Sequence, residues 1–184
     1  EDIMLANKKD LDEAKKMLDD GEITKAMYDR LSLDDSKFDS IIRYVEDVKK
    51  QEDPINSIMS ETELDEDLIL KQVRCPIGLI CVIFESRPDV LPQVMSLALK
   101  SGNGIILKGG REAINTNREI FSRLCSAAEE SGIPKGSTVM IETREDVKNI
   151  LRMEDQIDLI IPRGSNKFVS YIMENTKIPV LGHS

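Results

Sequence analysis

Apolar residues change their spacing near residue 77. Upstream they recur every three or four positions, as on one side of a helix; downstream they gather in short unbroken runs separated by amphipathic stretches. Residues 1–21 carry Met4, Leu5, Leu11, Ala14 and Leu18 as one helical stripe ending at Gly21. A short helix is predicted over about 24–31. Ser32, or a residue from Asp34 to Ser36, can cap a third helix, with Phe38, Ile41, Ile42, Val45 and Val48 on its inner face and Asp53-Pro54 as its stop. Residues 56–67 hold many acids and few turn signals, which predicts a surface connection into a strand at 68–73.

From Ile77 the apolar runs read as buried parallel strands joined by crossover helices. Strands are predicted at 77–84, 105–108, 138–141 and 159–162, helices at 88–100, 115–131, 145–153 and 165–175, and the start of a fifth strand at 179–181. Val90, Leu91, Val94, Leu97 and Ala98 face inward on the first of these helices, and Ile120, Phe121, Leu124 and Ala128 on the second. Pro92 falls near a first helical turn, where its missing N–H costs little. Right-handed crossovers wind such strands into an open, Rossmann-like α/β parallel sheet with helices on both faces. The division expected is an N-terminal helical part, 1–71, followed by an α/β part, 72–184.

A chain of 184 residues can bury roughly 70% of its unfolded surface in one domain. Its net charge of -9 is uneven: residues 1–71 hold 21 acids against 11 bases, and residues 72–184 hold 13 against 14. Acidic surface repels nucleic-acid phosphates, and no basic stripe with interleaved aromatics offsets it, so nucleic acid is not an expected partner. Three cysteines at no metal-ligand spacing and one histidine, His183, cannot build a zinc centre, and no metal is expected. They fit a reducing, intracellular setting. No run approaches the roughly 20 apolar residues that span a bilayer, and the N-terminus is acidic where a signal or transit peptide is basic. Glu1 opens the chain and Ser184 falls inside an expected element, which reads as an excised or truncated piece.

Ligands of such sheets bind beyond the carboxyl ends of the strands. Three segments there carry chemistry: Glu85-Ser86-Arg87-Pro88-Asp89, Lys108-Gly109-Gly110-Arg111-Glu112 and Pro162-Arg163-Gly164-Ser165. Lys108 places an ammonium at the sheet rim beside two glycines that allow close approach, which suits an anion or a ribose. Arg111 adds a planar donor fork for a 2′-phosphate, favouring NADPH over NADH. On position alone both also read as solvated strand-end charges. Gly164-Ser165 opens a helix whose free N–H groups and dipole suit phosphate, and Ser165 equally reads as a plain N-cap. The GxGxxG fingerprint is absent, because Gly102 and Gly104 precede a strand and Leu107 stands where the third glycine would fall. Cys81 lies mid-strand, Cys125 on a helix face and Cys75 beside Arg74 ahead of Pro76. None has the surroundings that lower a thiol from its usual pKa of about 8.5, and all three read as structural. His183 stands either as a catalytic group or as a last polar residue.

The stretches Cys75-Pro76-Ile77-Gly78, Ile83-Phe84-Glu85-Ser86-Arg87-Pro88-Asp89, Leu99-Lys100-Ser101-Gly102-Asn103-Gly104 and Leu107-Lys108-Gly109-Gly110-Arg111-Glu112-Ala113 together resemble the gamma-glutamyl phosphate reductases of the aldehyde dehydrogenase superfamily. Their form is most similar to the reductase half of eukaryotic delta-1-pyrroline-5-carboxylate synthase. The resemblance continues through Ile160-Ile161-Pro162-Arg163-Gly164-Ser165 and Ile178-Pro179-Val180-Leu181-Gly182-His183-Ser184, and reaches back to Met27-Tyr28-Asp29-Arg30-Leu31. It implies an aldehyde-dehydrogenase-like fold whose cofactor domain comes first, with the catalytic cysteine in a second domain beyond Ser184. Lys108, Gly109, Gly110, Arg111, Gly164, Ser165, Ser86 and Pro88 are then expected to bind NADPH, and Arg87 and Asp89 to lie near the substrate. Asp89 stands where aldehyde dehydrogenases often carry an asparagine; a carboxylate cannot donate unless protonated, so it is given no oxyanion role. The implied reaction is attack of a thiolate on gamma-glutamyl phosphate, loss of phosphate, and reduction of the thioester to glutamate 5-semialdehyde, which cyclises to the proline precursor pyrroline-5-carboxylate. The resemblance further implies a homo-oligomer, a fused glutamate kinase domain in the bifunctional form, and a mitochondrial location for an animal source or a cytoplasmic one otherwise. Alone, this chain is expected to bind cofactor without turning over. The competing reading is a non-catalytic nucleotide-binding or oligomerisation module of the same fold.

Overall fold

The computed structural model describes residues 1–182; His183, the candidate catalytic histidine, and Ser184 lie outside the described residues. Three helices come first, α1 (Asp2–Asp19), α2 (Lys25–Leu31) and α3 (Asp35–Lys50). Thr24 and Asp34 cap the last two by accepting from the backbone N–H of Met27 and Lys37, at 3.2 and 2.7 Å. The inner face of α1 departs from the predicted stripe: Leu5 is exposed, whereas Asn7 and Asp10 are buried. Both polar side chains are saturated by partners distant in sequence. The Asn7 amide donates to the Leu31 carbonyl at 2.8 Å and accepts from the Leu33 N–H at 2.9 Å, which makes its burial affordable in free energy. Ile42 of α3 also points outward, leaving Ile41 and Val48 as its buried anchors.

Residues 56–67, expected as a surface connection, instead contain strand β1 (Ile58–Asp65), which pairs antiparallel with β2 (Leu68–Val73). Asp67, at φ 60°, takes the left-handed position of the short turn between them, a conformation that aspartate tolerates. Every residue of both strands is exposed, so neither face carries the in-out alternation that would have revealed β1.

The sheet that follows is built from β3 (Leu79–Phe84), α4 (Val90–Lys100), β4 (Gly104–Lys108), a one-turn 3-10 helix (Arg111–Ala113), α5 (Ile114–Glu130), β5 (Thr138–Ile141), α6 (Arg144–Ile150), β6 (Leu159–Arg163) and α7 (Asn166–Glu174). Helix α6 stops earlier than predicted, at Ile150. All four strands are parallel, in the order β5-β4-β3-β6. Val180 joins Ile160 only through an isolated parallel bridge, so the predicted fifth strand is reduced to one contact.

Period-two alternation along β3 feeds two cores. Ile80, Val82 and Phe84 meet Leu91, Met95 and Ala98 of α4 and Ile120 of α5. Cys81 and Ile83 meet Val147 and Ile150 of α6 and Ile172 of α7 on the other face. Fully burying a side chain such as Leu91 contributes roughly 1.5–3 kcal/mol. On α4 the buried residues are Leu91, Pro92, Met95 and Ala98; Leu91, Met95 and Ala98 form one stripe at helical spacing, and Leu97 is exposed rather than inward. Among the described residues no helix is long and apolar enough to cross a membrane.

Candidate functional site at the carboxyl edge of the sheet

Ile83 pairs with Lys108 on one side and Pro162 on the other, so the segments following β3, β4 and β6 leave the sheet at one edge. The chain steps outward from β3 to β4 to β5 and returns to place β6 on the far side of β3. That reversal creates a crevice between the loops of β3 and β6, the usual ligand position in open α/β sheets. A cleft of about 860 Å³ opens there and runs along the α4 face of the sheet as far as Ser101 and Asn103; at the carboxyl edge it has Glu85, Ser86 and Arg87 on one side, Arg163, Gly164 and Ser165 on the other, and Val82, Val90, Val94 and Ile161 as apolar wall.

Ser86 is buried and sits at φ 46°, a strained position for a residue with a side chain. Glu112 holds it there. One oxygen, Oε1, accepts from both the Ser86 N–H at 2.6 Å and the Ser86 hydroxyl at 2.7 Å, tying the segment after β3 to the segment after β4. Gly110 makes room for that carboxylate, since a Cβ there would stand 2.0 Å from Glu112 Oε1. Gly109 packs on α5 in the same way, where a Cβ would stand 2.1 Å from Asn117 Nδ2. The two glycines expected to admit a ligand thus have a demand closer to hand, the packing of their own chain. The Asn117 amide is buried beneath Gly109 with no hydrogen-bond partner among the described residues at either polar atom.

Lys108 is half-buried, and strand alternation turns it to the face of Ile83 and Ile141, covered by α6 and α7. Desolvation lowers its pKa; the carboxylates of Glu112 and Glu85 oppose that effect, and the charge of Arg144, the first residue of α6, adds to it. An ammonium flanked by carboxylates donates to ribose hydroxyls more readily than to phosphate. The guanidinium of Arg111 is engaged by Glu22. Arg144 belongs to the fourth post-strand segment, Glu142-Thr143-Arg144, which sequence reasoning passes over; the same rule that singles out the other three would have found it.

Gly164 lies against the Glu85 side chain, where a Cβ would approach Oε2 to 2.7 Å. The Ser165 hydroxyl accepts from the Phe168 N–H at 3.3 Å, so it caps α7 and leaves the earlier first-turn N–H groups for a ligand. Arg87 pairs with Asp89 at 2.9 Å, and Pro88 between them is buried. The cleft therefore brings together Ser86, Arg87, Gly164 and Ser165. Lys108 stands one strand over on the same edge, and Gly109, Gly110, Arg111, Pro88 and Asp89 do not line the cleft.

No cysteine lies at this edge. Cys81 is fully buried in β3, and burial pushes its thiol up to about 12, while the Cys125 sulfur accepts from the Thr138 hydroxyl at 3.4 Å and Cys75 is exposed. Iodoacetamide at pH 8 should label Cys75 first and Cys81 only after unfolding, as read by peptide mass mapping. Rapid labelling of Cys81 in the folded chain would contradict this burial.

No family model matches the chain. The gamma-glutamyl phosphate reductase of Methanosarcina acetivorans is 55% identical over 183 residues, 99% of this chain and 41% of that protein. The structure of the Thermotoga maritima gamma-glutamyl phosphate reductase superposes with a TM-score of 0.89 at 36% identity, over 98% of this chain and 43% of that one. The Saccharomyces cerevisiae enzyme gives 0.88 at 42% identity, over 100% and 46%. A probable aldehyde dehydrogenase from Listeria monocytogenes, at 15% identity and a TM-score of 0.63 over 97% of this chain and 47% of that one, shares the fold alone. The likeness extends to archaeal and bacterial reductases and does not single out the eukaryotic form. The chain spans about two-fifths of the length of the curated relatives it matches. In sequence and in structure alike, it is a relative of the gamma-glutamyl phosphate reductases, built on an aldehyde-dehydrogenase-like fold.

Proposed function

We propose that this chain is the cofactor-binding portion of an NADPH-dependent reductase acting on gamma-glutamyl phosphate in proline biosynthesis. The observation that carries the reading is the convergence of Lys108, the Ser86 segment and the capped start of α7 on one sheet edge, at the reversal of strand order. The donor set suits a dinucleotide. Free N–H groups of α7 take the pyrophosphate, Lys108 donates to the adenosine ribose, Ser86 shapes the nicotinamide end, and Arg144 favours a 2′-phosphate. Bound there, NADPH supplies the hydride that takes an acyl group to an aldehyde. The attacking thiolate is assigned to the part of these reductases that this chain does not span; its sulfur forms a bond to the acyl carbon as the carbon–oxygen bond to phosphate breaks. Self-association, which the family likeness implies, is supported by the exposed apolar side chains of the β1–β2 hairpin, among them Ile58, Leu64, Leu68 and Leu70.

Titration with NADPH, followed by nicotinamide fluorescence in a chain without tryptophan, tests the reading. Saturable binding tighter than for NADH is expected, weakened at least about tenfold by Lys108→Glu, or roughly 1.4 kcal/mol. Undiminished binding by that variant would move the site away from Lys108. No binding by a wild-type chain that melts cooperatively would favour the non-catalytic module.

A further inference from the structure

We infer that the recess between α2, α3 and the start of α4 is a subsite for the amino-acid head group of the substrate, an inference that rests on the reductase reading above. The recess has a volume of about 410 Å³ and presents Arg30, Lys37 and Arg87 with the hydroxyls of Ser40 and Tyr44. This concentration of positive charge stands out in a region where residues 1–71 carry 21 acids against 11 bases. Among the described residues Asp89 is the one acid lining the recess, and it already pairs with Arg87 at 2.9 Å. Among the described residues Arg30 has no carboxylate partner, so its donor fork is available to a ligand. The Lys37 ammonium is steadied by donating to the Ser32 carbonyl at 2.7 Å and keeps two further protons to give.

Arg30, Arg87 and Gln93 line both this recess and the main cleft, so the two are continuous. A small extended molecule whose reactive carbon lies in the cleft would thus set its other end in the recess. For a gamma-glutamyl acyl phosphate that end bears an α-carboxylate and an α-ammonium. Arg30 and Lys37 match the carboxylate, and Asp89 offers a counter-charge to the ammonium. A phosphate dianion suits the same place less well, because it would face the Asp89 carboxylate. The rule that points to the segments after the strands does not reach this site, since Arg30 and Lys37 lie on the N-terminal helices.

The test is an amide and guanidinium NMR titration of the ¹⁵N-labelled chain, with NADPH binding measured on the same sample. L-glutamate should shift resonances of Arg30, Lys37 and Asp89 saturably in the millimolar range, and 4-aminobutyrate, which lacks the α-carboxylate, should not. Arg30→Met should weaken glutamate about tenfold while leaving NADPH affinity within about twofold, and Arg30→Lys should retain part of the effect. Arg30 is exposed, so neither variant threatens the fold. Inorganic phosphate displacing glutamate with equal strength would overturn the assignment in favour of a phosphate site, and absence of glutamate shifts at tens of millimolar would overturn it outright. NADPH binding that persists in either case would leave the reductase reading standing.

Discussion

Asp10→Ala should lower the melting temperature by roughly 6–12 °C, the shift expected for a loss of about 3 kcal/mol in a domain of this size. Asp10 is fully buried on α1, and its carboxylate closes the start of α5 from outside that helix. One oxygen accepts from the Asn115 N–H at 3.1 Å and the Asn115 amide at 2.7 Å; the other accepts from the Thr116 N–H at 2.7 Å and the Thr116 hydroxyl at 2.5 Å. Helix α5 has no capping side chain of its own, so these bonds replace the missing cap and place negative charge at the positive end of the helix. Alanine would strand four donors where water has little access. Asp10→Asn should cost less, because its carbonyl keeps one accepting oxygen. Thermal melting followed by circular dichroism checks the order; an alanine variant melting within a degree or two of the parent would remove Asp10 from the list of essential contacts.

Glu112→Ala is expected to disorder the crevice as well as destabilise the chain. It releases the buried N–H and hydroxyl of Ser86 together, at about 1–3 kcal/mol for each group left unpaired. The strained backbone at Ser86 then loses what holds it, and the segment proposed to line the nicotinamide end is free to relax. NADPH affinity should fall by more than about tenfold. Glu112→Gln keeps a carbonyl acceptor for both bonds and should retain most of the stability. Ser86→Gly should be mild, since glycine adopts a positive φ without strain and only the hydroxyl bond is lost. Melting and cofactor titration of the three variants separate these effects; unchanged affinity in the alanine variant would show that the tie between the two segments does not matter to the ligand.

The parallel sheet is legible in the sequence because its strands are buried on both faces and so appear as unbroken apolar runs, as at 138–141, where prediction and structure coincide. The Ser165 cap and the break before Pro54 are legible because they depend on neighbours a few residues away. What the pattern hides depends on distant partners. Asp10 looks like a surface acid on a polar helix until Asn115 and Thr116 are brought to it from more than a hundred residues away. Glu112 sits inside a recognisable motif, yet its role comes from Ser86, 26 residues earlier. Strand β1 has no burial signal at all, as it is held to β2 by backbone hydrogen bonds and by exposed polar pairs such as Lys71 with Glu61. At the site, the edge is foreseen and the division of labour is not: Arg111 is held by Glu22, while Arg144 stands near Lys108.

The most direct test of the central claim is a map of NADPH-induced amide shifts on the ¹⁵N-labelled chain. Saturable shifts are expected at Ser86 and its neighbours, at Lys108 to Glu112, at Arg144 and in the first turn of α7, with the β1–β2 hairpin unmoved. Shifts confined to the hairpin or to the N-terminal helices, with the carboxyl edge of the sheet silent, would contradict it.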